Sequence, residues 1–183
     1  MDSLTQATLG AAVGHLCWHK KIGNKALLLG ALGGTIPDLD IILYPFLDGI
    51  QRLHWHRGES HSIWFVLFGS LVTGWLLSRY YKRGKLSLPS AVLGTLLIYG
   101  THILIDYFTV YGTQLLAPFS RTAYALGNFF IIDPLFTLPL LLGCIIAAVS
   151  KPPLGAKANV AGLSLATCYM FWSFSAQGIA DHT

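Results

Sequence analysis

Two pairs of ionisable residues have spacings that suit metal coordination. His102 and Asp106 are four residues apart, so on a helix their side chains would share one face. Asp38 and Asp40 are two residues apart, which in extended chain directs both carboxylates to the same side. Each pair also has a structural alternative, a hydrogen-bonded pair for the first and a helix-start cap for the second. Together, imidazole and carboxylate ligands favour zinc, with manganese or iron as alternatives.

A third stretch, residues 54–61, reads His-Trp-His-Arg-Gly-Glu-Ser-His and carries three imidazoles. His56 and His61 are further candidate metal ligands, and Gly58 between them permits a tight turn. His54 has an alternative as a histidine of the membrane interface. With more than four candidate ligands in the chain, the sequence predicts a site for two or more divalent ions.

The same stretch carries groups suited to phosphate chemistry. Arg57 offers a guanidinium fork that can bind an oxyanion through two hydrogen bonds, and Arg121 is an alternative for that role. Glu59 could orient a nucleophile or take its proton. A divalent-metal site beside these groups can make hydroxide at neutral pH and bind a phosphoryl oxygen. We therefore expect Arg57 and Glu59 to be the catalytic side chains.

The composition indicates that this chemistry takes place in a membrane. Of the 183 residues, 54% are hydrophobic and 11% are charged, and the mean hydropathy is +0.58. A soluble domain carries about 25% charged residues, so this chain has too little polar surface to cover a water-facing globule. The net charge of +4 is spread over short loops rather than gathered in one patch, which argues against nucleic-acid binding.

Five apolar segments are long enough to span a bilayer, and a sixth at the N-terminus is marginal. The sequence therefore predicts an all-α, polytopic membrane bundle of five to six spans, forming one integral membrane domain over residues 1–183. Gly33, Gly34 and Pro37 predict that the second span is broken, which is tolerated where a helix lines a cavity. The predicted segments are residues 3–18, 26–47, 62–79, 88–108, 129–149 and 158–177.

The distribution of lysine and arginine predicts the orientation of these spans. The loops after the first, third and fifth segments hold nine basic residues and no acid. The opposite loops hold three arginines, diluted by two acids. By the positive-inside rule, the first set of loops is cytoplasmic. The nine basic residues are Lys20, Lys21, Lys25, Arg79, Lys82, Arg83, Lys85, Lys151 and Lys157, and the three arginines are Arg52, Arg57 and Arg121.

This topology brings the candidate ligands to the outer end of the bundle. At about 1.5 Å of rise per residue, Asp38 would lie ~18 Å and Asp106 ~27 Å above the cytoplasmic start of their spans. Asp133 and His61 would lie at the outer starts of theirs. Four of the eight acidic residues fall within spans or at their edges, with no lysine or arginine inside a span. Ionisable groups inside a membrane are destabilising and usually functional. We therefore expect these carboxylates to bind a cation.

Several motifs resemble, in the same order, those of the YdjM-like family of membrane-bound metal-dependent hydrolases. That family is itself distantly similar to zinc-dependent phospholipase C. The resemblance covers roughly residues 1–142. The matching motifs are Met-Asp-Ser-Leu-Thr-Gln (1–6), Pro-Asp-Leu-Asp (37–40), His-Arg-Gly-Glu-Ser-His-Ser (56–62), Thr-His-Ile-Leu-Ile-Asp-Tyr-Phe-Thr-Val-Tyr-Gly (101–112) and Ile-Ile-Asp-Pro-Leu (131–135).

The resemblance implies a site with more than one divalent transition-metal ion, zinc being the first expectation. One position departs from the family pattern, because many relatives have histidine where this chain has Gln6. The implied metal ligands are Asp38, Asp40, His56, His61, His102 and Asp106, with Asp133 as a further ligand or a group behind the ligands.

We therefore expect a metal-dependent hydrolase of the bacterial inner membrane that acts on the phosphoester of a lipid or lipid-linked substrate at the outer face. One alternative is a metal-ion or proton transporter whose acids line a pathway. The cytoplasmic half offers only His15 and His19 for such a pathway, and this asymmetry favours the enzyme. The other alternative is a structural membrane protein with a stabilising metal. The expected partners are the bilayer and the lipid substrate.

Overall fold

A computed structural model describes residues 1–48, 57–81 and 85–180. Within these ranges the chain forms six α-helices and no β-strand, so the predicted all-α class is confirmed. Shorter regular segments are a 3-10 helix (Ile36–Phe46), a 3-10 turn (Glu59–His61) and a π-helical segment (Phe65–Gly69). The six helices are α1 (Ser3–Ile22), α2 (Lys25–Thr35), α3 (Ser70–Tyr80), α4 (Leu88–Tyr107), α5 (Pro134–Val149) and α6 (Leu154–Ala180).

The predicted break in the second apolar segment is confirmed. Helix α2 gives way to the 3-10 helix Ile36–Phe46 within that segment. Pro37 has no N–H to donate to the carbonyl of Gly33, and that carbonyl instead accepts a hydrogen bond from the Ile36 N–H. The change of helix type comes directly before Asp38, so the break determines where this carboxylate lies.

Glycines let α1 and α2 pack backbone to backbone. A Cβ atom on Gly10 would lie 2.3 Å from the carbonyl oxygen of Gly30, and one on Gly34 would lie 2.5 Å from that of Gln6. Any side chain would collide with the facing backbone at these positions, so only glycine fits this contact. The close approach brings the end of α2 against the first turns of α1.

Contacts between helix ends define two ends of the bundle. Asn24 Nδ2 donates to Ala148 O at 2.9 Å at one end, and Asp2 N donates to Ile131 O at 3.1 Å at the other. We call the first the basic end and the second the site end. The starts of α1 and α5, the ends of α2 and α4, and the turn Glu59–His61 that precedes α3 meet at the site end. The described residues that give the basic end its name are Lys20, Lys21, Lys25, Arg79, Lys85, Lys151 and Lys157.

The loop between α4 and α5 packs across the site end. Gln114 N donates to Arg57 O at 3.1 Å, and Ile63 N donates to Leu115 O at 2.9 Å. These bonds tie the loop to both sides of the turn that precedes α3. The loop therefore holds the segment that carries Arg57 and His61 against the end of α4.

Polarity is inverted between the outside and the inside of the bundle. Large apolar side chains are exposed on the helix exteriors, whereas His102 and Asp106 are each 1% exposed. This distribution is expected of a protein surrounded by lipid. By length and hydropathy, Leu88–Tyr107 is the one described helix able to cross a membrane, and Phe65–Tyr80 and Pro134–Val149 are apolar but shorter. The number of spans therefore stays a prediction.

Candidate metal centre

Four side chains from three segments converge at the site end. Asp38 comes from the 3-10 helix after α2 and His61 from the turn before α3, while His102 and Asp106 come from the last turns of α4. One ligand atom of each residue lies within 4.8 Å of the others. The i,i+4 spacing puts His102 and Asp106 on the face of α4 that points into the bundle. These four residues, which we call the acid–histidine cluster, could hold a metal ion.

Five of the six distances between ligand atoms of the acid–histidine cluster are close to those of a tetrahedral metal site, and all six are within 4.8 Å. His61 Nε2 lies 3.2 Å from His102 Nε2 and 3.3 Å from Asp38 Oδ1. Asp106 Oδ2 lies 3.2 Å from His61 Nε2 and 3.8 Å from His102 Nε2, and Asp38 Oδ1 lies 3.4 Å from His102 Nε2. Tetrahedral Zn²⁺ with bonds of ~2.0–2.1 Å separates its ligand atoms by ~3.3–3.4 Å. The spacing therefore fits a divalent ion of that size.

Hydrogen bonds behind the imidazoles leave their Nε2 atoms available to a cation. His102 Nδ1 donates to Gly34 O at 2.7 Å, so the lone pair of Nε2 points into the cluster. His61 Nδ1 lies 3.0 Å from Ser60 Oγ, a hydroxyl that can accept its proton. If both rings carry their proton on Nδ1, the two Nε2 lone pairs face each other across 3.2 Å and repel. A cation between the two rings would turn this repulsion into attraction.

One carboxylate oxygen of the cluster is buried without a hydrogen bond to any described residue. Asp106 is 1% exposed, and its Oδ2 atom, beside His61 Nε2, forms no hydrogen bond to the described part of the chain. A buried carboxylate oxygen without such a bond is strongly destabilising. The Asp38 side chain is 24% exposed, so the cluster is accessible from the Asp38 side. Both the donor set and the unsatisfied oxygen fit a bound divalent metal.

Gln6 contributes to the cluster in a way that the sequence did not predict. Its Nε2 donates to Asp106 Oδ1 at 3.1 Å and to His102 O at 3.2 Å. The N-terminal amino group of Met1 pairs with the same carboxylate oxygen. The sequence marks Gln6 only as a position where many relatives have a histidine. In the structure its amide lies behind Asp106 and orients that carboxylate. A buried amide in the small-residue stretch of α1 is the signal that could have identified it.

Arg57 reaches the acid–histidine cluster and is already paired there. Its backbone φ of 57° lies in the left-handed region, which is uncommon for a residue other than glycine. One terminal nitrogen lies 3.4 Å from Asp106 Oδ1, and the other donates to Thr109 Oγ1 at 3.0 Å. The guanidinium carbon also lies 5.3 Å from the centre of the Tyr111 ring. The buried guanidinium of Arg57 thus lies beside the cluster. Its binding of an oxyanion stays a prediction.

Glu59 and Arg121 form an ion pair with each other at the site end. Both side chains are exposed, at 39% and 46%. The hydrogen bond from Arg121 lowers the pKa of Glu59, which keeps this carboxylate ionised. Glu59 lies in the same short turn as His61, so it is a proton acceptor near the cluster. Its catalytic role stays a prediction.

Asp133 lies at the start of α5 and caps that helix. Its Oδ1 accepts hydrogen bonds from Leu135 N at 3.1 Å and Phe136 N at 3.3 Å. The Tyr169 hydroxyl donates to its Oδ2 at 2.9 Å. Capping satisfies the first N–H groups of α5 and explains why Asp133 is buried without any need for a metal. The structure therefore gives Asp133 a structural role, and it does not bring this residue into the acid–histidine cluster.

Two further predicted ligands also stand apart from the four. The Asp40 carboxylate accepts a hydrogen bond from the backbone N–H of Arg57 at 3.4 Å, which places it near the cluster but not among its members. His56 lies outside the described residues, as does His54. The ligand roles of Asp40 and His56 stay predictions.

Known proteins resemble this chain over most of its length. A family model described as YdjM inner membrane protein matches residues 1–180. The uncharacterized protein YfhP of Bacillus subtilis (strain 168) is 31% identical over 141 residues, which are 73% of this chain and 42% of that protein. The chain thus spans less than half of this relative's length. No solved structure matches the chain, and the expected distant similarity to zinc-dependent phospholipase C stays a prediction. Because this family model matches residues 1–180, the chain belongs to the YdjM inner membrane protein family.

Proposed function

We propose that this protein is a polytopic enzyme of the bacterial inner membrane, a single domain over residues 1–183. It would use a divalent metal, zinc first, to hydrolyse the phosphoester of a lipid or lipid-linked substrate. The observation that carries the proposal is the acid–histidine cluster. Its ligand atoms all lie within 4.8 Å of one another at one end of an apolar bundle.

The ligand types favour catalysis. Structural zinc sites are commonly built from cysteine thiolates, and catalytic ones from histidine and carboxylate with access for water or substrate. The acid–histidine cluster contains no cysteine, and Asp38 gives it an accessible side. Four protein ligands are also the number in a closed structural site, so a stabilising metal is the second candidate function. Turnover distinguishes the two.

The chain's own residues have defined parts in this proposal. The acid–histidine cluster would hold one ion, and Asp40 and His56 would be the remaining ligands for a second. Bound metal would supply polarisation of a phosphoryl oxygen and activation of water. Arg57, whose guanidinium lies 3.4 Å from Asp106 Oδ1, would add positive charge where a phosphate approaches. Ionised Glu59 would accept a proton.

Transport is less well supported because the described helices carry no acidic, basic or histidine side chain between the level of the cluster and that of His15. His15 and His19 lie toward the basic end, and their rings stack on each other with centroids 4.7 Å apart. His15 is ~13 Å along α1 from Gln6. Small and apolar residues fill most of the facing parts of α1 and α2 between these levels. A pathway for ions would need polar groups there.

An apolar groove beside the cluster supports a lipid substrate. It has a volume of about 260 Å³ and lies between α4 and the segment that leads into α3. Its lining begins at Ile63 and Tyr107, close to the cluster, and continues along α4 to Gly100. We call it the α3–α4 groove. One acyl chain would lie in it while the phosphate of the same lipid approached the acid–histidine cluster.

The charges of the basic end support an outward-facing site. Basic residues stay on the cytoplasmic side of a membrane protein. The site end would then lie at the outer leaflet, where lipid headgroups approach it without their acyl chains leaving the bilayer.

Metal analysis and a phosphate-release assay on one preparation test the proposal. Protein in lipid nanodiscs should hold near-stoichiometric zinc, manganese or iron. It should also release phosphate or a phosphorylated headgroup from a phospholipid or polyprenyl-phosphate substrate. His61→Ala should abolish both properties. His15→Ala, the matched control, removes a buried imidazole outside the cluster and should preserve both.

Two results would overturn the enzymatic proposal in different ways. Metal-loaded protein that releases nothing, yet moves metal ions across proteoliposomes, would be a transporter. Metal-loaded protein that does neither, but unfolds when a chelator removes the ion, would carry a structural metal.

A further inference from the structure

A groove between α1 and α6 has basic residues at one end and apolar residues along the rest. Near the basic end, Leu16 and Lys20 of α1 face Lys157 and Val160 of α6 across a hollow of about 510 Å³. A second hollow of about 350 Å³ runs from Leu16 and Val160 along α6 to Phe171. Because the two hollows share Leu16 and Val160, they form one surface, which we call the α1–α6 groove.

The dimensions of the α1–α6 groove suit one phospholipid. Lys157 and Phe171 are fourteen residues apart on α6, which is ~21 Å of helix. One leaflet of a bilayer has ~15 Å of hydrocarbon, and its headgroup adds several ångströms more. A lipid with its phosphate near the lysines would therefore lay an acyl chain along the apolar part of the groove.

Charges at the basic end of the groove are available to an anion. Neither Lys20 nor Lys157 forms an ion pair within the part of the chain that the structure describes. Lys157 lies in the first turn of α6, where the backbone N–H groups add positive potential. His19, which also lines the groove, has a buried Nδ1 atom without a hydrogen-bond partner among the described residues. No acid lines this hollow.

We propose that the α1–α6 groove binds one anionic phospholipid. The headgroup phosphate lies between Lys20 and Lys157, and an acyl chain follows Leu16, Val160 and Phe171. Basic pockets between membrane helices recognise anionic headgroups in this way. A zwitterionic lipid brings a cation of its own, for which the groove offers no acid. The lysines of the groove are at the opposite end from the acid–histidine cluster, and no residue of that cluster lines the groove, so this binding does not depend on the proposed hydrolysis.

Native mass spectrometry of the purified chain tests the proposal, with phosphatidylglycerol and phosphatidylcholine of the same acyl chains added in detergent. One phosphatidylglycerol should remain bound to the wild-type protein, and phosphatidylcholine should not. The double variant Lys20→Gln, Lys157→Gln should weaken retention by roughly tenfold or more, since each basic residue near an anionic headgroup contributes about fivefold.

The matched control is the double variant Lys21→Gln, Lys151→Gln. It removes the same charge from the same end without altering the groove lining, and it should retain the lipid as the wild type does. An equal loss of phosphatidylglycerol in this control would mean that the basic end attracts anionic lipid in general. The specific site between Lys20 and Lys157 would then be overturned. Equal retention of phosphatidylcholine would overturn the role of the lysines.

A second variant tests the apolar part of the groove while keeping both lysines. Val160→Trp fills the hollow from an exposed position of α6. The substitution therefore leaves the packed core of the helix bundle unchanged. It should exclude the lipid, and undiminished phosphatidylglycerol binding in this variant would contradict the proposal. Thermal unfolding of the delipidated protein and bound metal, measured for every variant, should match the wild type.

Discussion

Asp106 has two carboxylate oxygens with different surroundings. Oδ1 is held by Gln6, by Arg57 and by the amino group of Met1. Oδ2 instead faces His61 Nε2 at 3.2 Å. Protein donors thus orient one oxygen and leave the other for a cation, which is the arrangement expected behind a metal ligand.

Replacing Asp106 should therefore remove the metal. Asp106→Asn keeps the size of the side chain but loses the negative charge that would bind the ion. We expect the bound metal per protein, measured by elemental analysis, to fall to background. Asp133→Asn is the matched control, because it also changes a buried aspartate and asparagine still caps a helix well. Metal that persists in Asp106→Asn, or disappears only in Asp133→Asn, would move the centre to the start of α5.

Gln6 should affect metal affinity without being a ligand. Gln6→Leu keeps a side chain of similar size and removes the amide that donates to Asp106. Loss of such a group behind a ligand weakens metal binding by roughly 10–100-fold. Titration of metal-free protein with Zn²⁺ measures this change. Asn159→Leu removes another buried amide, which donates to Ala12 O, and its Zn²⁺ affinity should stay that of the wild type.

Arg57 combines a backbone role and a charge, and three substitutions separate them. At saturating Zn²⁺, where the variants carry as much metal as the wild type, Arg57→Ala and Arg57→Gly should both depress turnover strongly. Arg57→Lys should recover part of the activity, because a point charge lacks the guanidinium fork. Because the backbone φ at this position is 57°, the glycine variant should unfold at a higher temperature than the alanine variant. The difference corresponds to about 1 kcal/mol in the free energy of unfolding. Equal turnover in all three variants and the wild type would exclude Arg57 from phosphate binding.

At the scale of elements, the helices were predictable because their apolar runs are local signals. The segment predicted at residues 88–108 is α4, Leu88–Tyr107. The break after α2 was also predictable, since glycine and proline act on their own backbone. Contacts between distant parts of the chain were not predictable in this way. Gln6 and Asp106 are 100 residues apart, and Tyr169, whose hydroxyl donates to Asp133, is 36 residues away along the chain.

The α3–α4 groove gives a prediction for one helix position. A Cβ atom on Gly100 would have no atom within 4 Å, so Gly100→Leu should fill the groove without a clash. Excluding two acyl carbons at about 0.8 kcal/mol each would lower turnover of a long-chain lipid by roughly tenfold. Turnover of a short-chain, water-soluble phosphoester should not change. Initial rates on the two substrates measure the effect.

Gly178→Leu is the matched control for this prediction. Gly178 is also a helical glycine with no atom within 4 Å of its Cβ position, but it lies on α6 and does not line the groove. Both substrates should be turned over at the wild-type rate. If Gly100→Leu slows the short-chain substrate as much as the lipid, the groove holds no acyl chain, although the hydrolase proposal would stand.

At the scale of the whole molecule, charge and chemistry are separated along the bundle. The positions of lysine and arginine alone, through the positive-inside rule, predict that one end of the bundle is shared by Asp38, His61, His102 and Asp106. That grouping is confirmed by the acid–histidine cluster. The side of the membrane that this end faces could not be read from helix packing, because a bundle packs identically in either orientation. It depends on the interaction of the basic end with the membrane.

Orientation is therefore the last prediction, and single cysteines at the two ends test it. In a background with Cys17, Cys144 and Cys168 replaced by alanine, Thr122→Cys lies on the exposed loop of the site end and Lys85→Cys at the basic end. A membrane-impermeant maleimide added to cells with a permeable outer envelope should label position 122 at once and position 85 only after the inner membrane is opened. The physical reason is that seven described basic residues mark the basic end, and each would have to cross the hydrocarbon core in the opposite topology. Labelling of position 85 in closed cells would put the acid–histidine cluster at the cytoplasmic face. Its substrate would then be a lipid or phosphoester of the inner leaflet.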